Sequence, residues 1–195
     1  MFKLAIALLA IALPLGALAA PESYTLDPFH TYAHFEVNHL GFSNVRGRFD
    51  KSSGKFTLDK AAKTATLDLA VETASITTGD NDKAGRPRSR DEHLRAPDFF
   101  NAAEFPRMTY KATSATFSGD NPATIEGSLT LLGVTKPLVL HVENWKCGPN
   151  PFSKKEMCGG NAGGVLKRSD FGMKFGIPAM SDEIKLWVGF EGYKD

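Results

Sequence analysis

From Thr31 to Val37 the odd positions are Thr31, Ala33, Phe35 and Val37 and the even positions are Tyr32, His34 and Glu36. Successive side chains of an extended strand point to opposite faces, so this period of two describes a strand with one apolar and one wet face. Asp27-Pro28 bounds the run before it, and the Gly41 to Gly47 segment, with Asn44, supplies a turn after it. The same alternation returns at Lys55–Leu58, Thr64–Thr73, Arg107–Phe117, Ala123–Leu132, Pro137–Trp145, Val165–Phe171 and Ile184–Tyr193. Asp59-Lys60, Gly119 to Pro122 and Gly133 to Lys136 read as the turns between them. Eight or nine short-looped strands make an all-β antiparallel meander. A twisted sheet of that size closes on itself or splits, and an up-and-down meander favours the barrel.

Residues 1–19 stand apart. Lys3 precedes an apolar run from Leu4 to Leu13, and Ala17-Leu18-Ala19 offers small residues where a signal peptidase cuts. That pattern is a secretory signal peptide, too short and wrongly flanked for a membrane span. The mature chain is expected at 20–195 as one domain, exported to the periplasm, with no further stretch long and apolar enough to span a membrane. Removing Lys3 takes the basic count from 23 to 22 against 22 acids. A formal charge of zero gives no long-range attraction to nucleic acid. Cys147 and Cys158 enclose GPNPFSKKEM, turn formers and lysines in a chain bound for an oxidising compartment, and are expected to form a disulfide closing this loop. They lack the short spacing of a redox-active Cys-x-x-Cys pair.

Between Thr78 and Pro106 the alternation stops. The segment is densely charged, and SRDEHLRA within it reads as a short helix capped by Ser89 with Asp91 and Glu92 in its first turn and Pro97 beyond its end. Phe99, Phe100 and Phe105 call for an apolar surface to cover, so the insertion is expected to cap one mouth of the barrel. Little else suggests chemistry. His30 and His34 are four apart on a strand, about 13 Å, too far for one ion. The five histidines show no ligand spacing, and nucleophile elbow, phosphate loop and dinucleotide fingerprint are all missing from the sequence. No metal, cofactor or catalytic residue is assigned.

Nine blocks in order carry a resemblance. They are YTLDPFH at Tyr24–His30, Phe35–His39, Arg46–Phe49, Arg90–Leu94, Asp98–Phe100, Pro106, Gly127–Thr130, Gly133–Pro137 and Arg168–Gly172. Together they resemble the YceI-like family, exported bacterial proteins often described as polyisoprenoid-binding, over nearly the whole mature chain. His30-Thr31 stands where the family has His-Ser, and the Cys147 to Cys158 loop lies outside the pattern. The resemblance implies an eight-stranded lipocalin-like barrel, its apolar interior holding a long isoprenoid, such as a quinone or polyprenol, or a similar amphiphile, without catalysis.

Periodicity alone does not choose between a filled and a hollow small barrel; the resemblance chooses the hollow one. Expected walls are Phe35, Val37, Phe49, Leu67, Leu69, Leu129, Leu131, Leu140, Leu186, Val188 and Phe190, with Phe99 and Phe100 from the insertion. Asp27, His30, Arg90 and Asp91 are the candidates for meeting a head group, or else structural pins and loop pairs. An enzyme or redox partner acting on a lipid or quinone head group, a stress-related protein with a filled barrel, and a homodimer remain open.

Overall fold

The computed structural model describes residues 20–195; the proposed signal peptide lies outside them. Eleven strands form one antiparallel sheet: β1 (Glu22–Leu26), β2 (Tyr32–His39), β3 (Ser43–Phe49), β4 (Ser52–Asp59), β5 (Thr64–Glu72), β6 (Ile76–Thr77), β7 (Arg107–Ser118), β8 (Asn121–Leu131), β9 (Val134–Pro149), β10 (Glu156–Lys167) and β11 (Met180–Lys194). Eight of them, in the order β1-β4-β5-β7-β8-β9-β10-β11, close into a barrel because β11 pairs back onto β1. The all-β, eight-stranded, lipocalin-like expectation therefore holds, with one six-residue helix, α1 (Arg90–Arg95), in the long insertion.

Two strands share one edge of β11. Its last residues pair with β1 through Thr25↔Tyr193, while Ile184 to Gly189 pair with β2 through Val37↔Ile184 and Phe35↔Leu186. Near β1 the neighbouring wall is β4; near β2 it is β3. On its far edge β3 has only the two-residue β6, at Arg48↔Thr77 and Phe49↔Ile76. Beyond that point the insertion stands beside β3, with Phe100 set edge-on against Phe49 at 5.2 Å. α1 begins as the sequence indicates: Ser89 Oγ accepts from the Glu92 amide, and the Glu92 carboxylate accepts from the Ser89 amide, a reciprocal cap.

Some boundaries differ from the expectations. A strand that the alternation did not indicate, Glu22–Leu26, precedes the Thr31–Val37 run, and the turn after β2 is confined to Leu40–Phe42. Gly47 belongs inside β3: the Phe35 ring and Thr78 Cγ2 lie where its Cβ would stand, so the glycine marks a close approach within a strand. The Cys147–Cys158 bridge forms, but between directly opposed residues of β9 and β10, strands that continue past it to Pro149 and from Glu156. Val165–Phe171 is split: β10 ends at Lys167, and Arg168–Phe171 makes a 3-10 turn.

Candidate functional site

The inward faces of the strands fill the two halves of the barrel differently. In the half containing β1, rings close the interior: Tyr24 stacks on Phe56 at 4.7 Å, and Phe56, Trp145 and Phe190 meet one another at 5.8 to 6.3 Å. Aromatic groups carry the largest apolar surface per residue, so a few fill a small barrel's cross-section. In the half containing β2 and β3 a cavity of about 500 Å³ remains. This lies within the range of roughly 300–1,000 Å³ that accommodates small-molecule ligands.

Most of the expected walls come together here. Phe35, Val37, Phe49, Leu69, Leu129, Leu131, Leu140, Leu186 and Val188 line the cavity from the strands, and Phe99, Phe100 and Arg90 line it from the insertion. Others do not reach it. Phe190 belongs to the aromatic cluster, and Leu67 packs beside the core without lining the cavity. Asp91 is buried within the insertion, where its Oδ1 accepts from the Thr78 amide and hydroxyl and anchors α1. Asp27 and His30 sit on the turn between β1 and β2, 2.8 Å apart, with His30 Nδ1 also 4.0 Å from Glu191. These three groups place donor atoms within 4.8 Å of one another, a juxtaposition that comparing His30 with His34 overlooked because Glu191 is distant in sequence. The adjacent Thr31 is fully buried, its hydroxyl set between the backbone N–H and C=O of Glu191.

The structure adds lining residues that sequence reasoning missed. Val71, Met108, Tyr110, Leu138 and Ile184 stand on alternating strands and were open to recognition by their face. Met173 and Phe175 come from the irregular connection before β11, where periodicity gives no signal. Of the polar groups that line the cavity, Tyr110 and Arg168 are buried, and both are engaged. The Tyr110 hydroxyl lies 2.9 Å from Leu138 O and 3.0 Å from Ile125 O, and burial, with Glu126 adding, pushes its pKa up to about 12. The buried Arg168 guanidinium donates to the carbonyls of Ser181, Met173, Phe175 and Met180. At the mouth, His93 and Phe99 from the insertion meet Phe175 from the β10–β11 connection at 5.2 and 5.3 Å. These segments are not neighbours in the ring, so the contact spans part of the opening. Arg90 stands there with Nε donating to the Thr78 hydroxyl at 2.7 Å.

The chain is similar to known proteins over most of its length. A protein called YceI from Salmonella arizonae is 33% identical over 177 residues, covering 91% of this chain and 88% of that protein. The crystal structure of the Campylobacter jejuni YCEI protein aligns with a TM-score of 0.65 at 29% identity, covering 81% of this chain and 90% of the other. A polyisoprenoid binding domain from Saccharophagus degradans aligns at 0.61 with 17% identity, covering 89% and 99%, a likeness of fold. The family model for the YceI-like domain matches residues 24–191, from β1 to the end of the barrel. On that match and on the Salmonella relative, the chain belongs to the YceI-like family.

Proposed function

We propose that the protein is an exported binding or carrier protein that holds one long isoprenoid chain, or a similar amphiphile, in the open half of its barrel. The observation that carries this reading is the cavity: about 500 Å³, walled by aliphatic and aromatic side chains, with its buried polar groups already bonded to backbone carbonyls. Each methylene removed from water contributes about 0.8 kcal/mol, and so a wall of this kind rewards chain length rather than head-group chemistry. The Saccharophagus degradans domain described as polyisoprenoid binding supports the same ligand class. Arg90, at the mouth and about two-fifths exposed, is the group placed to meet a polar head. We read binding rather than catalysis because the two buried polar groups of the wall, Tyr110 and Arg168, are already bonded to backbone carbonyls. Export to the periplasm is supported by the leader pattern of residues 1–19 and by the Cys147–Cys158 bridge.

The test replaces Leu186 or Leu129 with Trp, which points added volume into the cavity. Native mass spectrometry of protein purified from the periplasm should find lipid in the wild type and none in the variants, with thermal stability maintained. A wild type that never carries lipid, together with variants that are strongly destabilised, makes these residues core filling and overturns the reading.

A further inference from the structure

The cavity mouth is bordered by a turn that leaves most of its apolar surface exposed. Phe42 is 91% exposed and Leu40 53% exposed, at the tip between β2 and β3, while the flanking His39 and Ser43 line the cavity. The turn is firmly placed rather than loose: Leu40 N donates to Ala179 O at 2.7 Å, and Gly41 N to Asn38 Oδ1 at 2.9 Å. In the connection that accepts the Leu40 bond, Phe175, also a lining residue, is 47% exposed. We propose that this rim docks on a phospholipid bilayer, Leu40 and Phe42 entering the interfacial layer, so that the cavity opens toward the membrane. The proposal rests on reading the cavity as a lipid site, since a water-insoluble chain must leave and re-enter a bilayer.

Two observations favour a bilayer over a protein partner. The exposed apolar groups are a few side chains protruding from turns, far short of the roughly 800 Å² per partner that a stable protein interface buries, yet suited to shallow insertion. Beside the turn, a polar ladder of Asn38, Asn44 and Glu36 ends in two cations sharing one carboxylate: Arg46 at 2.7 Å and Lys185 at 3.7 Å from Glu36. Exposed Lys174 stands next to Phe175. Of the acids that follow Ser181 on β11, Asp182 is turned to the Ser169 amide and hydroxyl, so that Arg46, Lys185 and Lys174 set basic groups at this border beside Glu36 and Glu183. Such a border suits anionic head groups.

The experiment uses the mature protein, its Leu40→Asn/Phe42→Ser double variant, and Phe152→Ser at the opposite end, where Phe152 is 93% exposed on the β9–β10 tip. Leu40 has φ of 58°, a conformation that asparagine tolerates, so the double variant keeps the turn. Flotation with phosphatidylethanolamine/phosphatidylglycerol vesicles, and transfer of a dansyl-labelled prenol from them, are compared with uptake of the same probe from detergent solution. The expected result is a loss of about tenfold or more in flotation and transfer rate for the double variant, with detergent uptake unchanged and Phe152→Ser behaving as wild type. Wild-type flotation and transfer by the double variant overturn the proposal, as does a loss confined to Phe152→Ser. Self-association of the wild type that the double variant abolishes, with vesicle binding unaltered, makes a second copy the occupant and also overturns it. If wild type takes up no probe from detergent but floats, and the double variant does not float, docking stands and the lipid-cavity reading falls.

Discussion

Arg168 holds the wall of the mouth with no carboxylate of its own within ion-pair distance among the described residues: its guanidinium gathers four carbonyls of the segment from Met173 to Ser181. Arg168→Met leaves those carbonyls without donors and should cost about 3 kcal/mol or more in urea unfolding. Arg168→Lys should recover only part of that, since an ammonium cannot reproduce the guanidinium fork. Asp27 and His30 make a different kind of pin. Partial burial draws the Asp27 carboxyl upward, but the hydrogen bonds from His30 and the Phe29 amide outweigh it and leave it below the ordinary value. His30 is raised by its bond to Asp27, slight desolvation opposing and Glu191 adding. The stabilisation from His30 is complete below about pH 6.5 and is lost as pH rises through its raised value; that from Asp27 is complete above about pH 4 and is lost as pH falls through its lowered value. NMR titration should therefore place the His30 midpoint above that of a free histidine, and Asp27→Asn should bring it down.

At the scale of elements, several strands carry an inward aromatic ring laid over a glycine of the neighbouring strand. Tyr110 on β7 covers Gly127 on β8, where an added Cβ would come within 2.5 Å of Lys111 O and 2.8 Å of the Tyr110 ring. Gly127→Ala should accordingly cost about 1–3 kcal/mol by overpacking, read as a lowered urea midpoint with unchanged slope. The same feature explains what was legible. β5, β7, β8, β9 and β11 announce themselves because Leu69, Tyr110, Leu129, Leu140 and Leu186 recur on one face. The first part of β10 does not, because Gly159, Gly160, Gly163 and Gly164 have no side chains to alternate, although a Cβ on Gly164 would meet Val139 O at 2.9 Å. The cavity walls on regular strands followed from the pattern. Met173 and Phe175 required the tertiary fold, as did the separation of Leu67 and Phe190 from the cavity, because which end of a barrel is filled is decided by neighbours distant in sequence.

For the whole molecule, the aromatic cluster of Tyr24, Phe56, Trp145 and Phe190 sets the depth available to a ligand. Phe56→Ala should cost about 3–5 kcal/mol and, in the population that remains folded, shift the bound lipids toward longer chains by native mass spectrometry. The bridge between β9 and β10 lies beyond this cluster; opening its ring of chain should cost roughly 2–4 kcal/mol, measured by comparing unfolding with and without reductant. Around the circumference, however, the ladder of backbone bonds is uneven. β3 is joined on its far edge only at Arg48 and Phe49, and at Gly47 the neighbour is the Thr78 side chain at the start of the insertion. A barrel sealed in this way has a fixed girth at its aromatic end and an adjustable one at the other, because side chains can part and re-form where strands cannot without losing paired amides. Hydrogen exchange should register this as a gradient, with amides of β6 and the start of β3 exchanging well before those of β8 and β9.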